Sequence, residues 1–351
     1  MNTQSPSPCS ASHVSKRLTA TVQLPLVFHI EKLPRIAKLY KLATHTYRKR
    51  WTKRLFKRPM RILYDFVYDI LQYGDDGEFR YNAVDGPRSI IFNGRNAQFG
   101  AVHQLPEGEV YEAPIVALME LLLTDDRSFV DVGANWGCLT LQAAAFEKFS
   151  GPIHAFEPVS DTYADLCRTV GQSGLAGRVT CHKLALSSEP GAGFMNVPQG
   201  GTSGWAHLTD DRRGEPVQLA TLDELNIAAP NLIKIDAEDH EIAVLRGAGD
   251  MLRTSKPYIA FENWLDAKAP EIAIAPWRYL TSLNYTVFCP AWITDDGSVR
   301  LVNMPPIGPQ SKKIALIPMS ESHRMFGPQH WSYFACHRDR LKELQTIFKS
   351  E

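Results

Sequence analysis

An acid at the tip of an apolar run, followed at once by proline, is poised to accept hydrogen bonds from a diol. Glu157 in Ala155-Phe156-Glu157-Pro158 is such an acid. It follows a glycine turn by about 20 residues, the spacing at which a strand-end carboxylate meets a ribose. The turn is Asp131-Val132-Gly133-Ala134-Asn135-Trp136-Gly137. Gly133 and Gly137 allow a ligand close to the backbone, and the helix start that follows adds partial positive charge. Asn135 stands where such turns often carry glycine, and asparagine tolerates left-handed backbone. As a G-x-G-x-x-G dinucleotide fingerprint the stretch fails at Asn135 and Cys138, which argues against NAD.

A third group is Leu232-Ile233-Lys234-Ile235-Asp236-Ala237-Glu238-Asp239-His240-Glu241, where four acids and a histidine crowd the end of an apolar run. Helix capping accounts for Asp239 and Glu241. It does not account for Asp236, which closes the apolar run itself. Glu262-Asn263-Trp264 ends a further run in the same way.

Positioning these residues requires alternating strands and helices. EAPIVALMELLL reads as a helix with Pro114 near its start, SFVDVG as a buried strand, and LTLQAAAFEKF as a helix. PIHAFE, RVTCHKLAL, NLIKID and YIAFEN read as strands, DTYADLCRTVGQSG and HEIAVLRGAGDML as helices, and YTVFCP and SYFACH as late strands. The pattern predicts an α/β, Rossmann-like fold with a mostly parallel, doubly wound sheet over residues 110–345. Ligands of such sheets sit at the carboxyl ends of the strands, where the three groups fall. Ser187 to Leu219 is Gly-rich and reads as an irregular acceptor-side wall or lid. Residues 1–20 read as a disordered tail, and 21–109 as a helical and β extension packed on the main domain.

Composition is that of a soluble globular chain, with 44% hydrophobic and 22% charged residues. The formal net charge of zero gives no case for a nucleic-acid partner. Residues 32–61, however, hold twelve Lys and Arg and no acid. The part over 45–61 reads as a solvated helix face, with weak contact to an anionic membrane surface as the alternative. The six cysteines show no metal-ligand spacing and suggest reduced thiols in the cytoplasm. No run approaches the ~18 apolar residues of a membrane span.

FVDVGANWG, HAFEP, LATLDEL and LIKIDAEDHEIAVLRGA, in this order, resemble the FkbM-type methyltransferases. The resemblance covers about residues 110–265 and implies a class I methyltransferase fold with an S-adenosylmethionine site. It implies that Asp131, Gly133, Asn135 and Gly137 surround the methionine part, and that Glu157 holds the ribose. Ala185 and Leu186 would lie near adenine, and Asp236 between cofactor and acceptor. The chain departs from the family at Asp239-His240, where a glycine and a small residue are usual.

The resemblance implies O-methylation of a hydroxyl on a carbohydrate, glycan or other secondary metabolite. An alcohol is a poor nucleophile, so a base is expected near its proton, with His240 and Glu238 as candidates backed by Asp236. Trp205, His207, Glu262 and Trp264 are expected on the acceptor side, and Trp277 as a further stacking surface. The acid cluster could hold a divalent cation, but no ligand spacing demands one and no metal is assigned. The alternatives are an NAD-dependent sugar oxidoreductase, which lacks its glycines here, and a non-catalytic S-adenosylmethionine-binding adaptor.

Overall fold

A computed structural model describes residues 17–35, 62, 66, 76–103, 105, 109–198, 203–266, 268–302, 311–325 and 328–350. The basic stretch 45–61 lies outside them. The chain opens with strand β1 (Leu18–Gln23), then β2 (Phe28–Lys32), β3 (Asp76–Ala83) and β4 (Gly86–Asn93). The last three form a small antiparallel sheet, closed by a hairpin at Ala83 and Gly86. The boundary expected at residue 20 falls inside β1, whose Leu18 is fully buried.

Helix α1 (Ala113–Leu122) carries Pro114 in its first turn, where the missing N–H costs nothing. Then come β5 (Ser128–Val132), α2 (Cys138–Ala144), β6 (Ile153–Phe156), α3 (Ser160–Gln172) and β7 (Val179–His182). The short β8 (Ala185–Leu186), β9 (Gly191–Asn196), β10 (His207–Thr209) and β11 (Glu215–Ala220) make a second sheet in the order β10-β9-β11-β8. The stretch expected to be irregular is thus largely a small sheet, with β9 between β10 and β11. Its glycines hide the alternation that marks a strand, yet a Cβ at Gly193 would press on Leu208 and Leu219 at 3.2 Å, so the packing there suits glycine.

The main sheet continues with β12 (Pro230–Ile235), α4 (Glu241–Arg246), α5 (Gly249–Thr254) and β13 (Tyr258–Trp264). After α6 (Pro270–Ser282) come β14 (Tyr285–Ile293), β15 (Val299–Arg300), β16 (Ser311–Met319), β17 (His330–His337) and β18 (Lys349–Ser350). The single helix expected over 240–252 is broken at Gly247, whose Cβ position lies 2.0 Å from the carbonyl of Ser187.

The strand order is β18-β1-β16-β14-β17-β13-β12-β5-β6-β7. Strands β7, β6, β5, β12 and β13 pair in parallel. Strand β17 runs against both neighbours, and β16, β1 and β18 extend the antiparallel part. The sheet is therefore mixed. The parallel, doubly wound part expected from sequence is confined to five strands. The addition of β1 and β16 escaped the reading because antiparallel strands lack the flanking crossover helices that announce a parallel unit.

Strands β5 and β12 are buried along their whole length, as parallel strands covered on both faces are. The chain steps outward from β5 to β6 and β7, then returns to β12 on the other side of β5. That reversal opens a crevice at the carboxyl ends of β5 and β12.

Candidate functional site

The crevice holds a cavity of about 220 Å3 whose lining runs from Gly133 and Glu157 to Asp236, Glu262 and His330. Its floor is the glycine turn. Gly133 adopts φ +72, and a Cβ there would stand 1.9 Å from the carbonyl oxygen of Asp236. Only glycine lets β5 and β12 approach so closely. Asn135 takes the left-handed conformation at φ 52, as its residue type permits. Gly137, at φ 95, starts α2 and packs against Leu166, one step behind the cavity wall.

Glu157 is buried at the tip of β6. Its carboxylate accepts from the backbone N–H of Asn135 at 3.1 Å and of Val159 at 2.9 Å, which fixes its position. Burial pushes its carboxyl up to about 7 against the pull of those two N–H groups. Ala185 and Leu186 line the same end of the cavity, with Phe156 and Leu184 beside them.

Lys234 lies in register with Asp131 across the β12–β5 pair. Its ammonium is 3.2 Å from Asp236 Oδ2, 3.8 Å from Asp131 Oδ1 and 3.5 Å from the carbonyl of Gly133. Burial alone would depress its pKa, but Asp236, Asp131, Glu112 and Glu262 outweigh that and hold it charged. Asp131 is fully buried and takes a hydrogen bond from Thr140 Oγ1 at 2.7 Å, while its Oδ1 has no hydrogen-bond donor. Burial raises the Asp131 pKa despite Lys234. For Asp236 the Lys234 ammonium outweighs burial, and the carboxyl is held below the usual range.

Asp236, Glu238 and Glu262 converge, one carboxylate oxygen of each lying within 4.8 Å of the others, a spacing one cation could bridge. Glu262 is pushed up to about 12, first by burial and then by the Asp236 charge, so it carries the proton of the pair. It bonds to His330 Nε2, and the His330 ring stacks on Trp264 with centroids 4.0 Å apart and planes at 14°. Glu238 is pushed up to about 8 by burial and the neighbouring acids. His240 Nε2 lies 3.0 Å from Ser187 Oγ, and burial lowers its pKa, leaving the ring neutral.

Glu238 and Asp239 both have positive φ, at 47° and 73°. The turn geometry demands left-handed backbone, which explains why glycine is usual at the position of Asp239. An L residue there costs about 1–2 kcal/mol.

Of the residues expected in the site, the cavity brings together Asp131, Gly133, Asn135, Glu157, Ala185, Leu186, Trp205, Asp236, Glu238, His240, Glu262 and Trp264. Gly137 and His207 lie outside its lining. His207 is exposed and turned toward the Trp205 carbonyl. Trp277 is a core residue, 1% exposed and edge-on to Phe261, and is no stacking surface. Tyr111, Glu112, Lys234 and His330 also line the cavity, and the residue patterns did not single them out. Lys234 carried a signal, since a lysine inside a buried apolar strand must be paired. His330 carried none.

The N-terminal extension completes one wall. Trp136, in the glycine turn, stacks on Phe99 at 4.6 Å and donates its indole N–H to the carbonyl of Gln98 at 3.0 Å. Gln98 and Ala101 thereby reach the cavity.

The strand-end crevice belongs to an α/β domain that can hold a ligand against its glycine turn. Residues 131–285 match the methyltransferase FkbM domain. Over 147 residues it is 26% identical to the hexuronic acid methyltransferase AglP of Haloferax volcanii, covering 41% of this chain and 59% of that protein. The chain thus spans less than two thirds of that relative's length. Among solved structures it is similar to methyltransferase FkbM from Methylobacillus flagellatus KT, at 17% identity and a TM-score of 0.36, over 55% of this chain and 44% of that one. It is also similar to TYW2 of M. jannaschii in complex with AdoMet, at 10% identity and a TM-score of 0.33, over 76% and 89% of the two chains.

The cofactor is S-adenosylmethionine. The donor set suits it. A buried Asp131 oxygen without a donor, a glycine cradle that a Cβ would fill, and a fixed carboxylate on Glu157 match an ammonium, a close backbone approach and a ribose diol. No helix of the described residues is long and apolar enough to cross a membrane.

Proposed function

We propose that this methyltransferase acts on a hydroxyl group of a carbohydrate, glycan or other secondary metabolite. The observation that carries the reading is the make-up of the acceptor side. Glu112, Asp236, Glu238 and Glu262 face it, and the one ammonium in the group, Lys234, is already matched to Asp236 and Asp131. An anionic carboxylate acceptor would meet the ionised Asp236 and no unmatched cation among these groups. A neutral hydroxyl with a base beside it is suited.

In this reading Asp131, Gly133, Asn135 and Glu157 hold the cofactor, with Gly137 starting the helix behind them and Ala185 and Leu186 against its adenine end. S-adenosylmethionine supplies a methyl group already activated on a sulfonium. Glu238, lining the cavity with its carboxyl near 8, is the base that takes the hydroxyl proton as the O–CH3 bond forms. Asp236, kept ionised by Lys234, orients the acceptor hydroxyl, and His240 flanks it. Trp264, backed by His330, offers a flat apolar face to a sugar ring. The walls formed by the N-terminal extension and residues 203–206 exclude water from the aligned pair. The sugar named for the Haloferax relative supports the carbohydrate class. The free cysteines of the described residues support the cytoplasm as the working compartment.

The test is transfer of tritium from methyl-labelled S-adenosylmethionine to a panel of neutral sugars and the corresponding uronic acids, followed by alkali. Label that enters neutral sugars and survives alkali supports the reading. Label confined to uronic acids and released by alkali would overturn it.

A further inference from the structure

One aromatic residue of the cavity wall has an exposed face that the chemistry just described does not use. Trp205 ends the short turn Ser203–Trp205 and lines the cavity together with Glu238 and His240, yet remains 62% exposed. An indole that exposed, held in place, leaves a large apolar face in water. Its position is built. The backbone of Gly204 passes so close to the Gln98 side chain that a Cβ would stand 2.3 Å from the amide nitrogen.

Two polar groups flank it. His207 donates its Nδ1–H to the carbonyl of Trp205 at 3.2 Å, and its Nε2 accepts from the side-chain amide of Asn196 at 3.4 Å, so the ring holds the Trp205 turn from both sides. Asp239 holds the left-handed position at φ 73 where glycine would be unstrained, and its exposed carboxylate takes no hydrogen bond from another described residue. It lies within electrostatic reach of His207 and of a second acid, Asp266. A strained backbone kept with a carboxylate free of hydrogen bonds, one residue from both Glu238 and His240 of the cavity lining, points to recognition of something outside the protein.

We propose that Trp205, Asp239 and His207 form an outer subsite for a second, neutral pyranose ring, so that the acceptor is an oligosaccharide and not a free monosaccharide; this rests on the carbohydrate reading above. The apolar C–H face of the ring lies on Trp205, whose turn His207 holds in place, and its hydroxyls donate to Asp239. The acids at the rim, Asp239 and Asp266, favour a neutral ring over a uronate.

The experiment is calorimetric titration of the full chain, saturated with S-adenosylhomocysteine, with glucose, mannose and galactose and with their β- and α-linked di- and tetrasaccharides. The expected result is a preference of about tenfold or more for the oligosaccharides of one series over its monosaccharide. In Trp205→Ala and in Asp239→Gly that preference falls toward one, and Trp205→Phe restores much of it. Asp239→Gly suits the left-handed backbone, so loss of fold does not mimic the effect. Equal binding of mono- and oligosaccharides by the unaltered chain, or a preference unchanged in both variants, overturns the outer subsite alone. Failure of every sugar to bind while S-adenosylhomocysteine still binds overturns the carbohydrate reading and the subsite with it.

Discussion

The ammonium of Lys234 sits 3.2 Å from Asp236 and 3.8 Å from Asp131, and so ties the two central strands together beneath the cavity. The register that sets Lys234 beside Asp131 makes this contact unavoidable. One buried cation is thus shared by two carboxylates that both line the cavity. Lys234→Met removes the cation and leaves both acids buried and unmatched. It is expected to cost about 3–5 kcal/mol of unfolding free energy, read from urea denaturation.

Glu157 is held by two backbone N–H groups with its remaining lone pairs turned to the cavity. Glu157→Ala is expected to weaken S-adenosylhomocysteine binding by about 10- to 100-fold in calorimetry, the worth of a charge-assisted hydrogen-bond pair. Glu157→Gln keeps an acceptor oxygen and is expected to fall between. Unchanged affinity in the alanine variant would remove the ribose assignment.

Glu238 imposes a pH dependence on turnover. Its carboxyl is raised to about 8, so the basic form needed to take a proton accumulates only as pH rises through that value. The rate is expected to climb to a plateau above about pH 8. Glu238→Gln should lower kcat by about 10²- to 10⁴-fold and abolish the climb. His240→Ala should lower turnover while the climb persists, because His240 is tied to Ser187.

Stability without cofactor should fall as pH rises through neutrality. Glu112, Glu157 and Glu241 keep their protons to about 7 in the folded chain, each raised chiefly by burial. The unfolded chain releases them near ~4.3, so between these values the folded state binds more protons and stability declines with pH. Asp236 acts the other way, since its depressed carboxyl contributes above the ordinary aspartate range and is lost as pH falls through its folded value. The melting temperature should therefore peak on the acid side of neutrality and drop by pH 8. A melting temperature rising steadily from pH 5 to 8 would contradict the buried-carboxyl account.

The cofactor half of the site was legible because its parts are local. A glycine turn, an acid at a strand tip and an acid closing the next buried strand each declare themselves within a few residues, and the alternation of elements sets their spacing. Glu157 and Asp236 were found that way. The acceptor half was not, because it is assembled from distant segments. His330 reaches Glu262 only through the antiparallel β13–β17 pairing, and Gln98 arrives through the stacking of Phe99 on Trp136. No periodicity in one segment reports such a meeting. The small sheet of β9, β10 and β11 was missed for a different reason, since its glycines erase the two-residue alternation. Asp239 was visible as a departure from the family pattern, and the left-handed turn now gives the departure a physical meaning.

The central claim is that a methyl group passes to a sugar hydroxyl. The most direct measurement uses 13C-methyl S-adenosylmethionine with an oligosaccharide acceptor and a heteronuclear correlation spectrum of the product. The account predicts a methyl signal coupled through oxygen to a ring carbon, with one S-adenosylhomocysteine formed per methyl transferred. A methyl coupled to a carboxyl carbon or to nitrogen, or no transfer from a cofactor that binds, would contradict it.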